Sequence, residues 1–115
     1  MGETDWYSPL VNMGHQFGWL VEHHRTVKTA NGRHMTAIMG DKGWVDFVFS
    51  HPRHRITLFR EIKGPKTPVE PDQKKWLASL AASGLDVDIW RMPEDWPRAV
   101  AALSFGRASP EQSLL

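Results

Sequence analysis

The chain contains no cysteine, and its apolar runs are too short to cross a membrane. Without thiols, disulfide bonds, thiolate metal sites and a cysteine nucleophile are all excluded. The N-terminus lacks the charged-then-apolar layout of a signal peptide, so we expect a cytoplasmic protein with no membrane partner. The chain also lacks a strong charge of one sign, since its formal net charge is only +1. The net charge alone therefore does not indicate any class of binding partner.

The residues that are present favour one packed domain. A length of 115 residues suits a single domain, and 41% hydrophobic content with six tryptophans indicates a real core. We expect that domain to span residues 1–105, followed by a loose tail over residues 106–115. Half of the fourteen lysines and arginines fall within residues 51–75. This basic stretch could bind a polyanion, or it could be a solvated charged face.

Apolar periodicity and the placement of Gly and Pro predict alternating helices and short strands. The first predicted element is a helix over 5–17, whose regular part could begin only at Ser8 because of Pro9. An extended segment over 19–29, a turn at 30–33 and a loop or short strand over 36–43 follow. The remaining elements are strands over 44–50, 55–63 and 85–92 and helices over 71–83 and 94–105. Pro71 suits the start of the helix over 71–83, and Gly84 suits the position just past its end.

The order of these elements predicts the fold class. The strands over 44–50 and 55–63 are joined by the short turn HPRH, which favours an antiparallel hairpin. A helix separates the strands over 55–63 and 85–92, so these two should be parallel. The sequence therefore predicts an α/β fold with a central mixed β-sheet flanked by helices.

Three charged residues fall on the two strands of the predicted hairpin. Side chains two apart on a strand share a face, so Glu61 and Lys63 project the same way. Asp46 lies within an otherwise apolar strand, and the hairpin can set it beside Glu61. Two adjacent carboxylates repel, and a magnesium or manganese ion held by oxygen ligands is the simplest remedy. The alternative is that Asp46 pairs with Lys63 or an arginine and only satisfies the sheet.

The segments GWVDFVF and LFREIKGPKTPVEPDQKKWLASLAASGLDVDIWR resemble the VRR-NUC branch of the PD-(D/E)XK nuclease superfamily. That branch has a G-x-P-D strand, an E-x-K strand, and a glutamine-containing helix that leads into a further strand. The resemblance covers residues 43–91, with Val45 in place of the usual proline, and extends to GWLVEHH at residues 18–24. It implies a restriction-endonuclease-like core and metal-dependent cleavage of phosphodiester bonds.

The same resemblance assigns site residues position by position. Asp46 takes the place of the metal-binding aspartate, and Glu61 takes that of the second acid. Lys63 falls on the catalytic lysine, and Gln73 falls on the glutamine of the following helix. The Ile62 backbone carbonyl is available as a further ligand of Mg²⁺ or Mn²⁺. Such a site can activate a water for attack on the phosphate, with Lys63 orienting the water.

Other residues are expected at the edge of this site. Asp5 lies where relatives often have a glutamate on the first helix, although Asp5 is shorter, and it could be an additional metal ligand. His23 falls where relatives often have a histidine. We expect contacts with DNA from His23, Arg60, Lys66, Lys74 and Lys75.

The resemblance also implies the partner. Small phage-type members are commonly described as Holliday junction resolvases. We therefore expect branched DNA as substrate, a role in recombination or repair, and the host cytoplasm as location if a phage encodes the protein. A nuclease for flaps, nicks or plain duplex and an inactive nucleic-acid-binding module are open alternatives. Paired cuts in a junction need two sites, which predicts a homodimer, with Trp6 and Phe17 as candidate interface residues.

Overall fold

The computed structural model describes residues 2–24, the backbone of 27–28 and 34–35, and residues 39–104. The tail expected over 106–115 and the turn expected at 30–33 lie outside these described residues. The elements are a 3-10 helix (Glu3–Trp6), α1 (Tyr7–Gln16), β1 (Leu20–His23), β2 (Val27–Lys28), β3 (His34–Met35), β4 (Phe47–His51), β5 (Ile56–Lys63), α2 (Pro71–Ala82), β6 (Asp86–Arg91) and α3 (Trp96–Leu103).

Four strands form a mixed sheet in the order β1-β4-β5-β6. β4 runs antiparallel to both β1 and β5, whereas β6 runs parallel to β5. β2 and β3 form a separate antiparallel pair. The predicted α/β fold with a mixed sheet and flanking helices is therefore confirmed, including the hairpin and the parallel β-α-β unit. No helix in the described part of the chain is long and apolar enough to span a membrane.

The main core lies on one face of the sheet. It is built by Leu10, Met13, Trp19, Phe47, Phe49, Leu58, Ile62, Trp90, Met92, Ala99 and Leu103. These residues come from α1, from β4, β5 and β6, from the chain next to β1 and β6, and from α3, so the two helices cover the same face. Since Ile62 faces this core, strand alternation turns its neighbours Glu61 and Lys63 to the opposite face, where α2 lies.

Trp6 and Phe17 pack against this core as partly buried side chains, and their place in a dimer interface stays a prediction. The ring centroid of Trp6 lies 5.2 Å from that of Trp96 at the start of α3. Both residues flank an α1 helix whose buried side meets the sheet, so part of their apolar surface is used within the protomer.

β4 begins at Phe47, later than the predicted start of its strand at residue 44. Trp44 packs edge-on against Trp76 of α2, with ring centroids 4.9 Å apart, instead of continuing the strand. The backbone carbonyl of Asp46 is bound by the Nδ1 atom of His23 at 2.8 Å. Asp46 therefore stands at a bend just before β4, held by a side chain, and not in the middle of a strand as predicted.

Candidate active site

The hairpin register brings Asp46 and Glu61 together. Phe47 pairs with Arg60 in the β4–β5 ladder, and one more step places Asp46 opposite Glu61. The Oδ2 atom of Asp46 accepts a hydrogen bond of 2.8 Å from the backbone N–H of Ile62. This bond anchors the Asp46 carboxylate to β5, next to the Glu61 side chain, so the adjacency predicted from the hairpin is present in the structure.

Glu61 is the most buried acid of the described residues, with 1% of its surface exposed. Its Oε2 atom accepts a hydrogen bond of 2.7 Å from the side-chain amide of Gln73. The Nζ atom of Lys63 lies 3.7 Å from the same oxygen, and Lys63 is itself 5% exposed. The Oε1 atom is buried and finds no hydrogen-bond partner among the described residues. One oxygen of Glu61 is therefore held by the protein, and the other is left for something else.

Gln73 reaches Glu61 because of where α2 begins. Glu70 is the N-cap of α2 and Pro71 occupies the first turn, as the sequence predicts. The Oε1 atom of Gln73 accepts a hydrogen bond of 2.9 Å from the backbone N–H of Glu70. This leaves the amide nitrogen free to donate to Glu61. A single side chain thus caps the helix and orients the buried acid.

The electrostatics of the site disfavour an ionised Glu61 in the metal-free protein. Burial, as the largest cause, and the neighbouring charge of Asp46 together raise the pKa of Glu61 to about 8. The ammonium group of Lys63 opposes this rise but does not cancel it. Among the described residues, Lys63 is the cation that acts on Glu61, and its charge does not offset burial and the charge of Asp46. The two carboxylates therefore favour a proton on Glu61 in a place that a cation could take.

The donor set fits a hard divalent cation. The described residues contain no group of three Asp, Glu or His side chains close enough to bind a metal together. Asp46 and Glu61 nevertheless supply two carboxylates, and the buried Oε1 of Glu61 has no hydrogen-bond partner among the described residues, whereas Oε2 accepts from Gln73. Magnesium and manganese accept one or two carboxylates and complete their coordination with water, a carbonyl or phosphate oxygens. The Ile62 carbonyl remains a predicted ligand of this kind.

His23 lies beside the site as a packed residue. Its ring stacks on Phe47, with centroids 4.2 Å apart and planes 13° apart, and its centroid lies 4.3 Å from that of the Tyr7 ring. Its Nδ1 atom binds the Asp46 carbonyl. Its Nε2 atom is buried, with no hydrogen-bond partner in the part of the chain that the structure describes. These contacts favour a function in placing Asp46 over the predicted contact with DNA.

Asp5 is not brought into the site. It is exposed in the 3-10 helix, and its Oδ2 atom accepts a hydrogen bond of 2.8 Å from the backbone N–H of Gly2. We therefore leave Asp5 out of the ligand set, because a short side chain engaged in local capping does not reach the sheet face. In the same 3-10 helix, Glu3 is the acid with a buried carboxylate oxygen.

Arg60 belongs to the fold and not to the DNA surface. It lies on the core face of β5, where it is 5% exposed. Its guanidinium group donates to the carboxylate and the carbonyl of Asp86 at 2.9 Å, and it stacks 5.0 Å from the Trp90 ring. The expectation that Arg60 contacts DNA is corrected accordingly. Lys66, Lys74 and Lys75, in contrast, are exposed and available to a ligand.

Sequence reasoning missed two residues that support the site. Arg91 pairs with Lys63 in the β5–β6 register, and its Nη1 atom donates to the carbonyls of Gly64 and Thr67 at 3.0 and 2.7 Å. It therefore holds the loop that carries Lys66. Gly43, which precedes Asp46, touches the backbone of α2. The glycine stood out in the sequence, but its contact with a helix about thirty residues away did not.

Comparisons with known proteins agree with this geometry. A family model described as "VRR-NUC domain" matches residues 8–92. A solved structure described as "VRR_NUC domain" is similar to this chain, with a TM-score of 0.60 and 19% sequence identity. The similarity covers 85% of this chain and 92% of that chain. No match is found among curated proteins. The matched region contains all four residues of the site, from Asp46 to Gln73.

Proposed function

Because the chain belongs to the VRR-NUC nuclease family, we propose that it is a metal-dependent endodeoxyribonuclease that acts on branched DNA. The metal is a proposal supported by the site, and branched DNA is a proposal that rests on the family resemblance. The observation that carries the metal is the state of Glu61. Its carboxylate is almost fully buried, next to a second acid, with one oxygen bound by Gln73 and the other unpaired by any described group.

This arrangement favours a catalytic site over a structural ion pair. In the structural alternative, Asp46 would pair with Lys63 or an arginine. Asp46 instead binds the Ile62 N–H, and the nearest ammonium group, that of Lys63, faces Glu61 at 3.7 Å. If these charges served only to stabilise the sheet, the protein would be more stable without one of the two acids. A buried carboxylate next to a second carboxylate lowers the stability of the fold.

Each residue has a distinct task in phosphodiester hydrolysis. Asp46 and Glu61 would hold a magnesium or manganese ion, which supplies Lewis-acid chemistry to the phosphate and the attacking water. Lys63 lies on the same face and carries a compact positive charge, so it can orient the nucleophilic water and contact the scissile phosphate. Gln73 keeps the Glu61 carboxylate in one orientation through its 2.7 Å hydrogen bond.

Exposed lysines surround this site. Lys66 follows Lys63 in the loop that Arg91 holds, and Lys74 and Lys75 follow Gln73 in the first turns of α2. Positive charges at these positions would bind phosphates on either side of the cleavage point. DNA binding of this type carries no sequence information, which suits a nuclease that recognises the shape of a branch.

Branched DNA implies paired incisions. One protomer contributes a single Asp46–Glu61–Lys63 set, whereas a four-way junction has near two-fold symmetry. An isologous homodimer would supply two sites related by the same symmetry. We therefore propose a homodimer, and Trp6 and Phe17 stay candidate interface residues because they are only partly buried within the protomer.

The test is cleavage of four end-labelled substrates by the purified protein with magnesium: a four-way junction, a flap, a nicked duplex and a linear duplex. We expect symmetric paired cuts in the junction and much slower cleavage of the linear duplex. Preferred cleavage of the flap or the nicked duplex would show that this DNA, and not a four-way junction, is the substrate. The proposed metal-dependent hydrolysis would be unaffected. Binding without cleavage of any substrate would indicate an inactive nucleic-acid-binding module and overturn the enzyme assignment.

A further inference from the structure

Gly43 makes a contact that a larger residue would prevent. Its φ is +98°, a conformation that side chains with a Cβ rarely adopt. A Cβ built on Gly43 would lie 2.5 Å from the carbonyl carbon and oxygen of Asp72 and 2.8 Å from the backbone nitrogen of Gln73. These are backbone atoms of the first turn of α2, so they cannot move aside as a flexible side chain would.

The segment of residues 41–46 is fixed to α2 and to the sheet along its length. The Nε1 atom of Trp76 donates to the Asp41 carbonyl at 3.2 Å. Trp44 packs between Trp76 and Phe59, with ring centroids 4.9 and 5.9 Å apart. At its other end, the Asp46 carboxylate binds β5. The segment that delivers Asp46 is therefore also the surface on which α2 rests.

The helix turn that touches Gly43 is the one that delivers Gln73. We propose that Gly43 is a positioning residue: it lets the first turn of α2 seat directly on the 41–46 segment, and this close seating sets the hydrogen bond between Gln73 and Glu61. Asp46 and Gln73 thereby reach Glu61 from two sides at a spacing fixed by one backbone contact. The link to catalysis rests on the proposed function, whereas the link between Gly43 and Gln73 does not.

The chain offers a matched control for this idea. Gly40 lies in the same loop with a φ of +105°, and no atom of the described residues lies within 4 Å of a Cβ built on it. Gly40→Ala therefore introduces the backbone strain alone. Gly43→Ala introduces the same strain and a clash, which forces the first turn of α2 back by roughly 1 Å before ordinary carbon contact distances are restored.

The first readout needs neither metal nor DNA. In the metal-free protein labelled with ¹⁵N, the side-chain amide of Gln73 should give an NMR signal displaced from solvent-exposed amides and protected from exchange. We expect Gly43→Ala to move this signal toward the solvent-exposed position and Gly40→Ala to leave it in place. Equal behaviour of the two variants would overturn the proposal, even if the protein proved to cleave no DNA.

The second readout separates positioning from loss of fold. With magnesium and the preferred DNA, Gly43→Ala should lower kcat by up to roughly tenfold relative to Gly40→Ala, with KM changed less than about twofold. In a Gln73→Ala background, Gly43→Ala should lower kcat by less than about twofold further, because the hydrogen bond it disturbs is already absent. A full additional loss would show that Gly43 acts on something other than Gln73.

Should Gly43→Ala fail to fold, Trp76→Phe provides the test. This change removes the indole N–H that donates to the Asp41 carbonyl, together with part of the ring volume, and keeps an aromatic ring against Trp44. We expect the Gln73 amide signal to shift in the same direction by a smaller amount. An unchanged signal would contradict the idea that the 41–46 segment sets the position of Gln73.

Discussion

The side-chain amide of Gln73 donates a 2.7 Å hydrogen bond to Oε2 of Glu61, while its oxygen accepts one from the N–H of Glu70. One residue thus ties the start of α2 to the buried acid of β5. The hydrogen bond also decides which oxygen of Glu61 is used by the protein. The oxygen that remains is buried and has no hydrogen-bond partner among the described residues, which is why we propose it as a metal ligand.

The two hydrogen bonds of Gln73 can be separated by substitution. Gln73→Ala removes both, and we expect cleavage to slow roughly tenfold, with a stability loss of about 1 kcal/mol from the missing cap. Gln73→Glu keeps an oxygen to accept from Glu70 but replaces the donor by a second carboxylate facing Glu61. Steady-state cleavage rates and urea unfolding measure both effects. A wild-type rate for Gln73→Glu would mean that only the helix cap matters.

The raised pKa of Glu61 predicts how the metal-free protein responds to pH. Below pH 4.5 the side chain is protonated in both the folded and the unfolded chain, so it contributes nothing. As pH rises from 4.5 toward 8, the unfolded chain releases the proton while the folded chain keeps it, and stability falls. Above this range the penalty is complete, at most roughly 5 kcal/mol.

Urea unfolding without metal, at pH of about 5 and about 8.5, measures this penalty. Glu61→Gln resembles the protonated acid, so it should be more stable than the wild type at the higher pH and similar to it at the lower one. Adding Mn²⁺ at the higher pH should stabilise the wild type and not Glu61→Gln. A difference between the two proteins that does not change with pH would show that Glu61 has an ordinary pKa.

Lys63 is predicted to act in catalysis without binding the metal. Lys63→Ala should lower the cleavage rate at least roughly a hundredfold, because a group that orients the water and stabilises developing charge is removed. Calorimetric titration with Mn²⁺ should show an affinity close to that of the wild type, since ammonium is not a ligand. A parallel loss of metal affinity would indicate that Lys63 instead maintains the geometry of the two acids.

Substitution of Arg60 should lower stability without changing DNA affinity, whereas substitution of the exposed lysines of α2 should change DNA binding and leave stability nearly unchanged. Arg60→Ala removes a buried stack on Trp90 and a pair with Asp86. Because Asp86 is more than half exposed, the pair itself adds only about 1 kcal/mol at most, and we expect a total loss of roughly 2–3 kcal/mol in unfolding free energy. DNA affinity of the folded variant should be unchanged.

The lysines provide the matching measurement. Lys74→Ala with Lys75→Ala should leave stability nearly unchanged and reduce the slope of log affinity against log salt by about one for each phosphate that the variant no longer binds. The slope is read from fluorescence anisotropy at several salt concentrations. A reduced slope for Arg60→Ala, or an unaltered slope for the lysine pair, would reverse the two assignments.

Local patterns in the sequence predicted much of the fold and the centre of the site. The two-residue repeat of β5 placed Glu61 and Lys63 on one face, and the hairpin placed Asp46 beside them. Pro71 and Gly84 predicted the two ends of α2. Gly84 lies just past the C-terminal end of the helix and adopts a φ of +81°. These features depend on neighbouring residues, which is why they can be read from one chain.

Long-range packing accounts for what was missed. Arg60 looked like a surface charge because its partner Asp86 lies 26 residues away on a parallel strand. The sequence placed Asp46 within a strand because the side chain that binds its carbonyl, that of His23, comes from β1, 23 residues away. The contact between Gly43 and α2 likewise depends on how two separate elements dock. None of these partners is encoded by a local repeat.

Cleavage of a labelled four-way junction tests the central assignment most directly. The wild type with magnesium is compared with Asp46→Asn, with Glu61→Gln and with the wild type in EDTA. Each variant removes one ligand charge while keeping the side-chain shape, so we expect cleavage to be nearly abolished in all three comparisons, with junction binding by gel shift largely intact. Cleavage at the wild-type rate by either variant, or by the wild type in EDTA, would show that these acids do not form the metal site of this protein.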